Sequence, residues 1–321
     1  MNKVAVGIDI GGTNTFIGFL DENGKVLSKS HLITQEYRLI SDFISALSFN
    51  IKDQIKLLGQ VNIEGIGIGA PNGNILNGCI ENAPNIPWKG RLPLVKLFSS
   101  FFPDLPVFLT NDANAAALGE MSFGKVKGLK DFVVVTLGTG VGSGFVVNGE
   151  IMYGHDGLAG ELGHTIIEEN GRLCGCGRKG CMETYTSATG FLKTTKEYLK
   201  SFAGKSLLKQ IPVTDLMAED VSIAAENQDE LALSIFDFTA KKLAFSLANL
   251  IAITSPKEII LYGGLANAGD HLIRPTLSYL DDYTLNVFKG KVKINTSTLN
   301  NNHAAILGAS ALVWQELKKK N

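Results

Sequence analysis

Short apolar runs that stop at glycine clusters punctuate the chain, and two of them share one layout. Residues 4–9 form such a run, ending in Gly11-Gly12-Thr13-Asn14, and Phe16–Leu20 resumes it before an Asp21-Glu22-Asn23-Gly24 turn. Phe132–Leu137 forms another, ending in Gly138-Thr139-Gly140-Val141-Gly142-Ser143-Gly144, and Phe145–Val147 resumes it before Asn148-Gly149. Each copy predicts a strand, a glycine-rich turn, a second strand and then an Asn-Gly hairpin turn. A dinucleotide fingerprint or a Walker loop passes from a strand into a helix; here β-branched and aromatic residues continue at strand character, which excludes both. Elsewhere the period changes. Leu39, Ile40, Phe43, Ile44 and Leu47 share one helical face, so a helix is predicted over about 38–59. Ile63–Ala70 alternates isoleucine with glycine and reads as a buried strand ending at Pro71-Asn72-Gly73; another is predicted at Pro106–Thr110. It runs into an alanine-rich helix opened by Asn111-Asp112, which is capping chemistry. Further helices are predicted over about 184–202 and 228–253, a strand at Lys257–Tyr262 ending in Gly263-Gly264, a helix from about 270, a strand near 291–296 and a final helix from about 304.

At 321 residues the chain exceeds the size at which one core keeps growing, and its 45% hydrophobic content suffices for two. Alternating strands and helices around two meanders predict two α/β domains, with the repeated hairpin marking duplicated halves. The expected small N-terminal domain covers 1–113 plus a C-terminal helix of about 304–321, and the large one covers 114–303, with the switch near 113–130. A net charge of −1 argues against recruitment to nucleic acid or to an anionic membrane. The opening Met1-Asn2-Lys3 is too short and polar for a secretory signal, and no apolar stretch approaches the roughly 18 residues of a membrane span. A cytosolic location, with reduced thiols, is therefore expected. The four cysteines then call for a metal or for no special role, rather than for disulfides.

Asp9-Ile10-Gly11-Gly12-Thr13 places an acid at a strand end, then two glycines whose amides can turn toward an anion, then a hydroxyl. An aspartate cannot touch phosphate directly without repulsion, so Asp9 would act through Mg²⁺ and water. Two such hairpins facing one another across a cleft would clamp phosphates, which points to an ATP-dependent kinase of the actin/hexokinase architecture. Asn111-Asp112 sits at a strand-to-helix junction, where ligands gather in α/β sheets. Asp112 could accept the proton of an attacking sugar hydroxyl, or could simply cap the helix. Gly160-Glu161-Leu162-Gly163-His164 offers a carboxylate and an imidazole suited to adjacent sugar hydroxyls, or to a metal. Cys174, Cys176 and Cys181 follow; three thiolates and one imidazole complete a tetrahedral Zn²⁺ shell with no open position, hence a structural metal. That metal would fasten the 164–183 loop bearing Glu183. Cys79 stands alone and reads as a small buried apolar residue. Gly263-Gly264 would let a flat adenine ring lie against backbone, or is merely the turn that opens a helix.

Together these residues resemble the ROK family (repressors, open reading frames and sugar kinases) over nearly the whole chain. The resemblance lies in Asp9-Ile-Gly-Gly-Thr, Leu109-Thr-Asn-Asp-Ala-Asn-Ala-Ala, Leu137-Gly-Thr-Gly-Val-Gly, Gly160-Glu-Leu-Gly-His and Cys174-x-Cys-Gly-x-x-Gly-Cys-x-Glu183. It implies the two-domain actin-like ATPase (ribonuclease H-like) fold, α/β, with duplicated domains around a cleft, assembled as a homodimer or tetramer. By resemblance Asp112 is the catalytic base; Asn111, Asp112, Glu161, His164 and Glu183 are sugar ligands, with His164 shared by the zinc shell; and Asn82, in the segment Glu81–Trp88, is a weaker candidate. Asp9, Gly11, Gly12, Thr13, Asn14, Gly138, Thr139, Gly140, Gly142, Gly263 and Gly264 would surround ATP. One departure is visible, in that Asn72 follows Pro71 where the family often has glycine, which clouds sugar identity.

The expected reaction is transfer of the ATP γ-phosphoryl group to the 6-hydroxyl of an aldohexose, glucose first, with an N-acetylglucosamine or N-acetylmannosamine kinase as the runner-up. A sugar-responsive repressor of the same family needs a helix-turn-helix ahead of the kinase-like body. A phosphate hairpin starting at residue 9 leaves no room for one. A silent sugar sensor is disfavoured because every expected catalytic position is filled.

Overall fold

The computed structural model describes residues 2–299 and 304–320, so the outermost residues of the expected termini, Met1 and Asn321, and residues 300–303 lie outside it. In chain order the elements are β1 (Asn2–Ile10), β2 (Asn14–Asp21), β3 (Val26–Ile33), α1 (Ile40–Leu58), β4 (Val61–Ala70), β5 (Gly73–Asn74), β6 (Cys79–Glu81), β7 (Arg91–Leu92), α2 (Leu94–Ser99), β8 (Val107–Asn111) and α3 (Asp112–Phe123). Then come β9 (Phe132–Leu137), β10 (Val141–Val147), β11 (Glu150–Ile151), α4 (Glu183–Thr186), α5 (Ala188–Ser201), α6 (Ala218–Glu226), α7 (Glu230–Thr254), β12 (Glu258–Tyr262), α8 (Asp270–Tyr283), β13 (Lys293–Thr296) and α9 (Ala304–Lys320).

The two main sheets repeat one topology. The first runs β3-β2-β1-β4-β8 and the second β11-β10-β9-β12-β13, so in each the order is third, second, first, fourth, fifth. In the first, β1 pairs antiparallel with β2 and parallel with β4. In the second, β10 and β11 are antiparallel, while β12 runs parallel to both β9 and β13. The Asn148-Gly149 turn joining β10 to β11 has both residues at positive φ (54° and 82°), as a tight two-residue hairpin demands. β5-β6-β7 form a small third sheet.

Contacts divide the chain into one unit of Met1–Lys130, Gly144–Ala159 and Thr298–Asn321 and another of Asp131–Ser143 and Gly160–Ser297. In this division residues 114–130, the stretch in which the domain switch is expected, fall with the first unit. α3 packs closely on α9 within the first unit: a Cβ on Gly119 would meet Gly308, and one on Gly308 would meet the Ala115 carbonyl.

The side-chain alternation of β1 and β4 explains how the first unit is layered. Val4, Val6 and Ile8 of β1 and Ile66 and Ile68 of β4 face a core shared with Phe43, Ile44, Leu47 and Ile51 of α1. The opposite face is nearly stripped of side chains. A Cβ on Gly7 would collide with the Ile306 carbonyl, and one on Gly67 with the Ala309 carbonyl, both of α9. The Ile-Gly alternation of the sequence is thus a two-faced strand: isoleucine toward α1, bare backbone toward α9.

In the second unit every residue of β9 but Thr136 is buried. Along α7, Leu231, Ile235, Leu243, Leu247 and Ile251 are buried as well, with Phe236 packed on Phe191 of α5 at 4.8 Å between ring centres. The predicted helix over 184–202 is interrupted at Ser187, whose hydroxyl accepts the Gly190 amide and starts α5 afresh. Among the described residues no helix is long and apolar enough to cross a membrane.

Candidate active site and metal loop

Asp9 lies on the glycine face of β1, opposite Gly69 of β4. Because Gly69 has no side chain, the start of α3 comes close, with the Ala115 methyl and the Asp112 Cα next to where a Cβ would project. Two carboxylates are thereby brought together. Burial, and after it the charge of Asp112, pushes the Asp9 carboxyl up to about 7. Solvent reaches the Asp112 side chain, yet surrounding protein desolvates its carboxyl and raises it above the ordinary range; the amides of Ala113 and of Asp112 itself pull the other way. The cap of α3 is Asn111, whose Oδ1 accepts the Ala113 amide at 2.8 Å. Asp112 Oδ1 takes the same amide and is left with a second oxygen.

The first glycine turn is closed by main chain. The Gly11 amide donates to the Asn14 carbonyl, and the Thr34 amide to the Thr13 carbonyl, at 2.9 and 2.8 Å. Gly12 lies flush against the Asn85 carbonyl, where any side chain would collide. That carbonyl belongs to the Asn82–Trp88 segment, anchored by Trp88, which packs on Phe43 and donates its Nε1–H to the Tyr37 carbonyl. Asn82 is exposed with φ 49°. Asn72 has φ 52°, the left-handed region that favours glycine and next asparagine. Its Nδ2 donates to the Glu81 carbonyl, so the departure from glycine keeps the backbone shape.

In the second turn the Gly138 amide donates to Gly140, Val141 to Glu183 Oε2 and Gly142 to Thr136 Oγ1. Gly138 and Gly142 therefore shape the turn. Among the described residues, the amides of Gly12, Thr13, Thr139 and Gly140 in the two hairpins carry no internal partner. Gly263 is pressed against the Leu137 backbone at the foot of this hairpin, whereas nothing would obstruct a Cβ on Gly264.

Glu161 is exposed at the head of a short 3-10 turn, Leu162–His164. His164 Nδ1 lies 3.6 Å from Cys174 Sγ, and Cys176 Sγ lies 3.6 Å from Cys181 Sγ. All four donor atoms fall within 4.8 Å of one another. A tetrahedron with metal–sulfur bonds of about 2.3 Å has edges of about 3.8 Å, so this donor set fits Zn²⁺. Burial alone would raise the Cys176 thiol, but hydrogen bonds from the Arg178 backbone and side chain and from the other two thiols bring it down to about 6. Cys79 is buried and apart from the cluster.

Arg172 has no motif to announce it. Its side chain is only 9% exposed. The guanidinium donates to the Thr184 and Gly190 carbonyls and to Thr194, pairs with Glu197, and stacks 4.6 Å from the Tyr185 ring. It ties the cysteine loop to α4 and α5.

The ROK family profile matches residues 5–316. The chain is 37% identical to a glucokinase of Halalkalibacterium halodurans, covering 97% of this chain and 95% of that one. It is 34% identical to a glucokinase of Thermotoga maritima, covering 97% and 98%. A solved ROK family glucokinase of Streptomyces griseus, in complex with glucose and AMPPNP, superposes with a TM-score of 0.81 at 29% identity over 97% of this chain and 99% of that one. The protein accordingly belongs to the ROK family.

Proposed function

We propose that the protein transfers the γ-phosphoryl group of ATP to the 6-hydroxyl of an aldohexose, with glucose as its substrate. The observation that carries this reading is the Asp9–Asp112 pair, set where β1 ends and α3 begins, with both carboxyls raised by burial. A carboxylate whose proton affinity is raised is a better acceptor for a hydroxyl proton near neutral pH. The likeness to glucokinases over nearly their full lengths supports the same substrate.

In this reading Asp112 accepts the sugar's 6-hydroxyl proton as the oxygen attacks. Asn111 through its free Nδ2, Asn82, Glu161, His164 through Nε2, and Glu183 hold the other hydroxyls. The partnerless amides of Gly12, Thr13, Thr139 and Gly140 face the phosphates, and Gly264 lies under the adenine. Asp9 would hold Mg²⁺ through water, and the ion when bound would offset the phosphate charge. His164, Cys174, Cys176 and Cys181 would hold a Zn²⁺ that fastens the loop without entering the chemistry. Three reduced thiols suit a cytosolic protein, and a homodimer or tetramer is the assembly proposed.

Side-by-side ADP release with glucose, mannose, N-acetylglucosamine and N-acetylmannosamine tests the substrate. Turnover on an acetylated sugar above that on glucose would reassign it. Asp112→Asn should cut turnover by roughly 10²–10⁴ while sugar affinity stays near wild type; a variant keeping a tenth of its activity removes Asp112 from the role.

A further inference from the structure

Within the hairpin between β9 and β10 the Gly138 amide donates to the Gly140 carbonyl and the Gly142 amide to Thr136; its other restraints come from α4 and from the start of α5. Ala188 donates its amide to the Gly138 carbonyl at 2.8 Å, and Thr189 its hydroxyl to the Thr139 carbonyl at 2.9 Å. Among the described residues the hairpin's one charged partner is Glu183, whose Oε2 accepts the Val141 amide at 3.0 Å, at the point where the turn becomes β10. The same oxygen would lie 2.5 Å from a Cβ on Gly140, so the carboxylate sits directly over the turn. Its other oxygen lies 3.6 Å from Cys174 Sγ. Glu183 follows Cys181 by two residues, so a single side chain bridges the cysteine loop and the glycine turn.

We propose that Glu183 is the strut that sets the geometry of the Gly138–Gly142 hairpin, so that the cysteine loop positions the phosphate cradle as well as the sugar. This rests on the reading that the hairpin faces the nucleotide's phosphates. Glu183 differs from the other restraints in joining the turn to the cysteine loop through a single side chain. A carboxylate also has about four lone-pair sites, so holding Val141 leaves room for a sugar hydroxyl. Glu183 is in this respect a positioning residue, acting on phosphate through the hairpin.

Three proteins decide the matter: wild type, Glu183→Gln and Glu183→Ala, all compared without sugar. The readouts are AMPPNP affinity by calorimetry, amide hydrogen exchange at Val141 and Gly142, and zinc content. In Glu183→Ala, Val141 exchange should accelerate and AMPPNP affinity fall by about tenfold or more. Glu183→Gln, whose amide carbonyl can accept the same N–H, should keep both close to wild type. Should Glu183→Ala lose zinc, Gly140→Ala displaces the same carboxylate without touching the cysteines and is expected to reproduce both effects. Unchanged Val141 exchange in the alanine variants would overturn the strut. Faster exchange with unaltered AMPPNP affinity would instead overturn the assignment of the hairpin to the nucleotide, and the proposal with it.

Discussion

The turn between β1 and β2 is closed by main chain: Gly11 bonds Asn14, Thr34 bonds Thr13, and Gly12 rests on the Asn85 carbonyl. The turn between β9 and β10 has main-chain bonds too, Gly138 to Gly140 and Ala188 to Gly138, but it also leans on side chains, Thr136 of its own strand and Glu183 and Thr189 from further along the chain. Two segments of matching sequence plan thus differ in what can disturb them. Main-chain closure tolerates substitution at every neighbour but fails if the turn itself gains a side chain. Side-chain closure can be undone from a distance.

The largest effect is expected from breaking the first turn directly. Gly12→Ala must displace the Asn85 carbonyl or its own strand, at about 1–3 kcal/mol or more by the usual measure of overpacking. Thermal melting should fall by several degrees and nucleotide binding should be lost; a fully active, equally stable Gly12→Ala protein would refute the packing described. Next comes Arg172→Met, which keeps an apolar stem but removes a nearly buried charge from two carbonyls, Thr194 and Glu197. A loss of about 2–3 kcal/mol in unfolding free energy is expected, with exchange accelerating at Val141 and Gly142 and not at Gly11–Asn14. Equal acceleration in both turns would erase the contrast. Metal analysis sharpens the same point. Purified protein should carry about one equivalent of zinc, and Cys176→Ser should lose it and loosen only the second turn; a metal-free, fully active preparation would remove the site. The smallest effect is electrostatic. The folded-state pKa of Asp9, about 7, exceeds its unfolded value, so the folded state binds that proton more tightly and stability drains away as pH rises from about 4 toward 7. Asp9→Asn should therefore melt higher than wild type at pH 8 and no higher at pH 4, while losing activity; identical melting at both pH values would show that the carboxyl is not desolvated.

Both hairpins, the cysteine loop and the strand–helix alternation were legible because each depends on local spacing. Legibility stopped where a contact joins distant residues. Nothing near Glu183 in the sequence says that it reaches Val141, and nothing near Arg172 says that it reaches Thr184, Gly190 and Glu197. The short strands β5 to β7 and the helices α2 and α6 escaped because their apolar periods are too brief to stand out. The packing of α3 was not legible because an alanine-rich helix shows no preferred face; it meets α9 through glycine contacts that leave no hydrophobic stripe to read.

The bare stripe of β1 and β4 also bears on how the protein comes into being. During synthesis the isoleucine side of that sheet can be covered as soon as α1 has emerged, but its glycine side waits for α9, which follows only after every strand of the second sheet. The first sheet is therefore completed only after the second has been made, and until then presents naked backbone to whatever chaperones or neighbouring chains it meets.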